Sequence, residues 1–188
     1  MKITQEFEVQ RGIDEVWDFF QDVPAVSQCL PGAELTEDRS NGTFAGKVSV
    51  KMGPMTASFE GDAKVSPDEA SRSVHMEGQG VDRRGGSRGQ MTADYRLVAT
   101  DGGATGVTVD ADITLYGAAA QFGRTGLIRE MSSLLIQEFI DCLEAKLGAG
   151  TEAEADAIAA GQVRGFSLFF SSLAAALARF FKRLFGTQ

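Results

Sequence analysis

The sequence is poor in the side chains that most enzymes use for catalysis. It has one histidine, His75, and two cysteines among 188 residues. A lone histidine without cysteine or aspartate partners makes a poor metal site. The sequence also lacks G-x-S-x-G, a P-loop, and a G-x-G-x-x-G motif between a strand and a helix, so the common hydrolase and nucleotide-binding sites are not expected. We therefore predict no catalytic residues, no metal ligands, no covalent cofactor and no enzymatic activity.

The sequence also lacks a long hydrophobic run. The longest uncharged stretch of the apolar C-terminal segment, residues 165–178, has 14 residues, whereas a spanning helix needs about 20. The N-terminus, MKITQEFEV, indicates a strand rather than the apolar core of a signal peptide. Two cysteines could form one bridge, but without a signal peptide we expect a reducing compartment. The prediction is a cytoplasmic protein in which Cys29 and Cys142 are free thiols.

Acidic residues are missing from the end of the chain. Residues 163–188 contain four basic and no acidic residues, which gives this segment a charge of +4. Since the whole chain carries −8, residues 1–162 carry −12. An acidic body repels nucleic acid, which we exclude as a partner. A short, basic, apolar tail is typical of a segment that lies on a membrane surface.

What the chain does have is a clear alternation of apolar and polar residues. This pattern and the turn residues between the apolar stretches predict one N-terminal strand, two short helices, six further strands and a long helix, which is an α+β arrangement with an antiparallel meander. The predicted strands cover 2–9, 33–38, 43–52, 55–65, 72–82, 87–99 and 105–116. The long helix is predicted over 119–147, with a plausible break at Gly123 and Gly126. A strongly bent sheet would wrap around this helix.

The inward face of the predicted sheet is built from unusually small residues. Of 25 inward positions on the five strands after residue 42, nine are Gly or Ala. Protein interiors are packed to crystal density, so small residues leave a volume that something must fill. Two interpretations stay open: the long helix approaches closely over glycines that mark bends, or an apolar cavity holds a ligand.

The ligand interpretation predicts a lining of apolar residues with Tyr95 as the main polar group. Such a cavity suits an apolar ligand with one or two polar groups. Methionine side chains are flexible, so they can adapt to the shape of such a ligand. The predicted ligand-binding residues are Phe44, Val48, Val50, Met52, Phe59, Met76, Gly78, Met91, Ala93, Tyr95, Val109, Ala111, Ile113, Leu127, Met131, Leu135 and Phe139.

The chain divides by composition into three parts. Residues 1–147 form the predicted ligand-binding domain, residues 148–162 a flexible acidic linker, and residues 163–188 an amphipathic helix. We predict that this helix lies in the membrane interface; the alternative is a helix folded onto the domain or onto another copy. The predicted membrane-binding residues are Phe166, Phe169, Phe170, Leu173, Leu177, Arg179, Phe180, Phe181, Lys182, Arg183 and Leu184.

One basic loop stands out in the acidic domain. Arg83, Arg84 and Arg88 lie within the run RRGGSR. The run is either a solvated hairpin tip or a contact for anionic lipid or a partner at the opening of the cavity.

Several sequence blocks resemble a known family. The stretch DEVWDFFQDVPAVSQCLPGAEL at 14–35, Tyr95-Arg96-Leu97 and the run ADITLYG at 111–117 are similar to the carbon monoxide dehydrogenase CoxG family, over about residues 1–147. That family belongs to the START/Bet v 1-like superfamily. The resemblance implies the helix-grip fold, in which a curved antiparallel sheet surrounds a long C-terminal helix.

The resemblance also implies an accessory role for molybdenum CO dehydrogenase, with recruitment of the enzyme to the membrane and binding of respiratory quinone. We expect a bound isoprenoid quinone, menaquinone or ubiquinone, and a peripheral location on the inner face of the cell membrane. Three hypotheses follow: a carrier of quinone between membrane lipid and enzyme, a membrane tether without a ligand, and an enzyme of the cyclase or hydrolase kind. The last needs inward ionisable residues, and the pattern offers almost none.

Overall fold

The computed structural model describes residues 1–52, 55–124, 127–151, 153–155 and 158, with the backbone alone at 51–52, 55, 122–124 and 127–134. The elements are β1 (Lys2–Val9), α1 (Ile13–Gln21), α2 (Val23–Cys29), β2 (Ala33–Asp38), β3 (Thr43–Met52), β4 (Met55–Asp68), β5 (Ser73–Asp82), β6 (Ser87–Ala99), β7 (Thr105–Tyr116), a 3₁₀ helix (Gly117–Arg124) and α3 (Leu127–Leu147). The predicted α+β order is confirmed, and the predicted strand limits agree to within three residues.

The strands form one curved antiparallel sheet in the order β1-β7-β6-β5-β4-β3-β2. Strands β2 to β7 are a meander of neighbours, as the turn residues predicted, and β1 closes the other side by pairing with β7. A bulge between Leu35 and Glu37 interrupts the pairing of the edge strand β2 with β3. Such a bulge bends the edge of the sheet.

The two short helices connect the opposite edges of the sheet. Helix α1 buries Val16, Trp17, Phe19 and Phe20, which are spaced as one apolar helical face. Helix α2 begins after Asp22, whose side chain accepts a hydrogen bond from the Ala25 amide at 3.0 Å. This cap and the following Pro24 explain why the chain starts a new helix there.

The predicted break in the long helix is confirmed. The segment Gly117–Arg124 is a 3₁₀ helix, and the α-helix proper covers Leu127–Leu147. Glycine costs an α-helix about 1 kcal/mol relative to alanine, which agrees with a regular helix that starts only beyond Gly123 and Gly126. In the C-terminal half of α3, the side chains of Phe139, Cys142 and Leu143 are buried.

The prediction of free thiols is wrong. Cys29 at the end of α2 and Cys142 on α3 form a disulfide, with their Cα atoms 5.4 Å apart. The two residues are 113 positions apart in sequence, and both are almost fully buried. The prediction rested only on the redox state of the expected compartment. The distance between the two sulfur atoms depends on the packing of α2 beside α3, which the sequence pattern does not give.

The chain divides into two compact units, Met1–Glu144 and Ala145–Gln188. In the second, residues 153–155 are helical, and the Lys146 ammonium donates to the Ala155 carbonyl at 3.1 Å. The predicted linker at 148–162 is only partly described, and the predicted membrane helix at 163–188, with all its site residues, lies outside the described residues. Within the described part, no helix is long and apolar enough to cross a membrane.

Candidate ligand-binding face

The sheet has an apolar inner face and a polar outer face, as the alternation predicted. On β6, Ala93 and Leu97 are buried while their neighbours Thr92 and Arg96 are exposed. The same two-residue period continues through β5 and most of β7. Successive strand residues point to opposite sides of the sheet. The buried side is the one that the helices cover, and we call it the inner face.

One end of the inner face is closed by aromatic packing. The Phe20 ring of α1 lies 5.0 Å from the Tyr95 ring and 5.9 Å from the Phe139 ring, measured between centroids. Phe7 of β1 contacts Phe139 edge-on at 6.4 Å. We call this end, which also holds buried Val74, Leu97 and Val107, the closed end. The strand pattern did not assign Phe7 or Phe20 to the site, although the apolar spacing of α1 was the signal that could have identified Phe20.

At the opposite end of the inner face, the side formed by β2 and β3 is only partly covered, and we call it the open end; at the turn between β5 and β6 the inward residues Asp82 and Ser87 are buried. Val48 on β3 is 47% exposed, and Leu30 in the loop before β2 is 44% exposed. Phe59 pairs with Val48 across the strands. Large apolar side chains left uncovered on or beside a concave sheet mark a candidate binding surface.

The glycines of the inner face fall into two classes. At Gly61 an added Cβ would lie 1.8 Å from the Gln79 carbonyl oxygen, so glycine is needed there for close strand approach. At Gly78 the nearest atom to an added Cβ is the Met91 terminal carbon at 3.7 Å, an ordinary contact. Close strand approach therefore requires the glycine at position 61, whereas the neighbours of Gly78 do not require glycine there.

The predicted ligand-binding residues are spread over the whole inner face rather than gathered in one enclosed cavity. Ala93 and Phe139 are buried, whereas Val48 and Leu135 are exposed. The side chains of Met52, Leu127 and Met131 lie outside the described part of the chain. The partly buried members are Phe44, Val50, Phe59, Met76, Gly78, Met91, Tyr95, Val109, Ala111 and Ile113.

Tyr95 is the polar group of this face, at the boundary of the closed end. Burial raises the pKa of its phenol, so the hydroxyl is neutral and able to donate a hydrogen bond. No described residue forms a hydrogen bond with this hydroxyl. A ligand carbonyl that reached the aromatic end would therefore meet an available donor.

The outer face carries charge but no catalytic arrangement in the described residues. His75 Nδ1 lies 2.7 Å from the Asp94 carboxylate, and this hydrogen bond raises the pKa of His75. Both groups are exposed on the outer surface of the sheet. Two open depressions of about 560 and 600 Å³ lie on this face, and their linings are mostly polar. No described group of three or more histidine, cysteine or acidic residues is arranged to hold a metal ion.

Comparison with known families gives one match that covers most of the chain. The model of the carbon monoxide dehydrogenase CoxG family matches residues 6–148. This range contains the second half of β1 and the whole of β2 to β7, α1, α2 and α3. A search of curated proteins found none that matches this chain.

Solved structures share the fold at low sequence identity. A conserved protein from Geobacillus kaustophilus superposes with a TM-score of 0.68 at 15% identity, covering 78% of this chain and 95% of its own. The Zhui aromatase/cyclase from Streptomyces sp. R1128 gives a TM-score of 0.52 at 16% identity, with coverage of 79% and 96%. The protein TTHA0849 from Thermus thermophilus gives 0.53 at 13%, with coverage of 78% and 97%. These likenesses confirm the helix-grip, Bet v 1-like fold.

Proposed function

Since this chain belongs to the carbon monoxide dehydrogenase CoxG family, we propose that it carries an isoprenoid quinone between the membrane and CO dehydrogenase. The quinone would lie on the inner face of the sheet, and the amphipathic tail would hold the protein at the inner surface of the cell membrane. In this role the chain is an accessory protein without catalytic residues of its own.

The observation that carries the proposal is the partly uncovered apolar inner face. Val48 and Leu30 are exposed at its open end, and Phe59, Met76 and Met91 are only partly buried. An isoprenoid chain is hydrocarbon, and covering apolar surface contributes roughly 25 cal/mol per Å². A bound isoprenoid would bury surface that the folded chain leaves in contact with water.

The headgroup of a quinone suits the closed end. A quinone carries two carbonyl acceptors on a flat ring, and the closed end offers a neutral Tyr95 hydroxyl beside the Phe20 ring. Aromatic rings prefer offset or edge-on contact with other flat rings. This supports an orientation in which the ring is innermost and the isoprenoid tail runs toward Val48.

The C-terminal segment supports membrane association through its sequence pattern. Eight large apolar residues between Phe166 and Leu184 share one helical face, opposite Arg179 and Lys182. Their partial burial in the interface would contribute on the order of 10 kcal/mol before entropy losses. Binding of this kind is reversible, as a carrier requires.

Gly78→Leu is expected to weaken binding of an isoprenoid quinone at least tenfold. The added side chain would project from the inner face beside Met91, where a Cβ has only ordinary contacts, the nearest at 3.7 Å, and it would cover the surface on which the quinone is proposed to lie. Gln79→Leu is the matched control, because it adds an isobutyl group one residue along β5 on the exposed outer face. Titration of both purified full-length variants with quinone, followed through the quenching of tryptophan fluorescence by the quinone, measures the difference in affinity.

Equal quinone affinity in these two variants would contradict binding on the inner face. Ala93→Phe is a poorer test, because Ala93 is only 4% exposed and a phenyl group there would overpack the core. Mass spectrometry of the apolar extract of the purified full chain identifies the ligand independently. An extract free of quinone would contradict the carrier proposal.

Tyr95→Phe is expected to weaken quinone binding roughly two- to tenfold, the effect of one lost hydrogen bond. The phenyl ring keeps the packing against Phe20, so that the free energy of unfolding should stay within about 0.5 kcal/mol of the original. Quinone titration and urea denaturation of the same variant separate the two effects. Unchanged affinity would place the quinone ring away from Tyr95.

A second candidate function is a membrane tether without a ligand. It is favoured by one observation: the two described depressions lie on the outer face, and neither is lined by the predicted ligand-binding set as a whole. Deleting residues 163–188 abolishes membrane recruitment of CO dehydrogenase under both proposals. Gly78→Leu separates them, because it impairs electron transfer to quinone only if the chain is a carrier.

A further inference from the structure

Residues 83–88, at the turn between β5 and β6 and the start of β6, present three arginines to the solvent. Arg83, Arg84 and Arg88 are all exposed, and none of their guanidinium groups forms an ion pair or hydrogen bond with a described residue. Elsewhere, Arg39 pairs with Asp62 at 2.9 Å and Arg72 pairs with Asp14. In a body with a net charge of −12, three cations in one turn that no described residue neutralises are available for an external anion.

The turn is held in place by buried polar contacts. The Asp82 carboxylate accepts hydrogen bonds from the amides of Arg84 at 3.0 Å and Gly85 at 2.8 Å. The Ser87 hydroxyl oxygen accepts one from the Ala119 amide at 3.0 Å. Asp82 and Ser87 are themselves buried. The arginines therefore lie on a turn whose backbone is fixed by hydrogen bonds to buried side chains.

Exposed apolar and aromatic side chains flank these arginines. Arg88 pairs with Val81 on one side and Tyr116 on the other, and both neighbours are more than two-fifths exposed. Tyrosine favours the membrane–water interface, where its ring meets the lipid and its hydroxyl meets water. We name Val81, Arg83, Arg84, Arg88 and Tyr116 the arginine rim.

Three members of the arginine rim lie on the outer face of the sheet, because Val81, Arg88 and Tyr116 pair with one another across the strands. The residue after Arg88 faces inward, and a Cβ added at Gly89 would meet Leu115 at 3.3 Å and Phe59 at 3.7 Å. Phe59 pairs in turn with the exposed Val48. The rim and this part of the apolar inner face are therefore the two sides of the same end of the sheet.

We propose that the arginine rim docks on an anionic bilayer surface and brings this end of the sheet to the lipid. Cationic residues gain about 1 kcal/mol each at such a surface, whereas the acidic remainder of residues 1–162 is repelled. The rim is then the attractive part of the body, which fixes its orientation. Val81, Arg88 and Tyr116 also line a depression that contains Glu60 and Asp62. These two carboxylates oppose the attraction of Arg88 to an anionic surface, so the contact centres on Arg83 and Arg84 at the turn.

This proposal rests on the membrane association proposed above but not on the bound quinone, so quinone-free vesicles test it. The full chain would be sedimented with phosphatidylcholine vesicles, with and without phosphatidylglycerol. Replacing all three rim arginines by alanine is expected to weaken binding to the anionic vesicles roughly ten- to a hundredfold. Binding to the neutral vesicles should change less than twofold.

The control variant is Lys2→Ala with Lys64→Ala and Arg96→Ala, which removes the same charge from exposed positions elsewhere on the sheet. It should keep anionic binding within about threefold, and lysine at the three rim positions should restore binding, since surface attraction depends on charge. Equal losses in the rim and control variants would overturn the proposal, and so would no loss in either. A rim variant that kept vesicle binding but lost CO dehydrogenase would also overturn it, in favour of an acidic protein partner.

Discussion

Reduction of the Cys29–Cys142 disulfide is expected to lower the free energy of unfolding by about 2–4 kcal/mol. The bond closes a loop between residues 113 positions apart, so its loss frees much of the unfolded chain. It also links α2 to the C-terminal half of α3, where Leu143 is fully buried. Urea denaturation of the full chain with and without dithiothreitol measures the change.

The double variant Cys29→Ser with Cys142→Ser provides the control. It should unfold at the urea midpoint of the reduced protein or below it, because two buried hydroxyls replace the bond, and dithiothreitol should not affect it. Two titratable thiols in protein purified without reductant, together with equal midpoints in both buffers, would contradict the bond. That result would return the cysteines to the state expected for a reducing compartment.

Gly61→Ala is expected to destabilise the chain by about 1–3 kcal/mol or more, because its methyl group would lie 1.8 Å from the Gln79 carbonyl oxygen. Relief requires the β4 and β5 backbones to separate at the paired residues Gly61 and Gly80, and movements of that kind carry a cost in this range. Circular dichroism of urea-denatured samples gives the free energy of unfolding.

Gly78→Ala is the matched substitution on the neighbouring strand. Its methyl group would meet only ordinary contacts, the nearest at 3.7 Å, and alanine restricts the unfolded chain more than glycine does. We expect an unchanged or slightly higher stability, by up to about 0.5 kcal/mol. Equal effects of the two substitutions would show that the glycines of the inner face share one role.

This pair of glycines separates two kinds of small inward residue that the strand pattern could not distinguish. The pattern could count small inward residues but could not tell close backbone approach from empty space. That distinction depends on the neighbouring strand, whose carbonyl at Gln79 faces Gly61 while the Met91 side chain leaves room at Gly78. The case for a ligand therefore rests on the neighbourhood of Gly78 and Val48 rather than on the number of glycines.

The sequence predicted which residues of the candidate site face inward, but it did not predict which residues close one end of the inner face or stay exposed at the other. Alternation assigned Phe59, Met91 and Tyr95 to one side of the sheet, because a two-residue period is a local property of the strands. It could not predict that Phe7 and Phe20 close one end, since these residues come from β1 and α1 and reach Phe139 only after the sheet curves. Nor could it predict that the inward residue of β3 at the other end stays exposed.

The sequence by itself determined the order and limits of the strands, the α+β arrangement and the break before α3, because alternation, turn residues and helix caps act over a few neighbouring residues. Only the tertiary structure decided the disulfide, the closed and open ends of the inner face, and the joining of the three arginines to Val81 and Tyr116 in one rim. The disulfide, the two ends of the inner face and the pairing of Arg88 with Tyr116 depend on residues far apart in the chain. These residues come together only when the curved sheet packs against its helices, and the local alternation of apolar and polar residues does not predict such contacts.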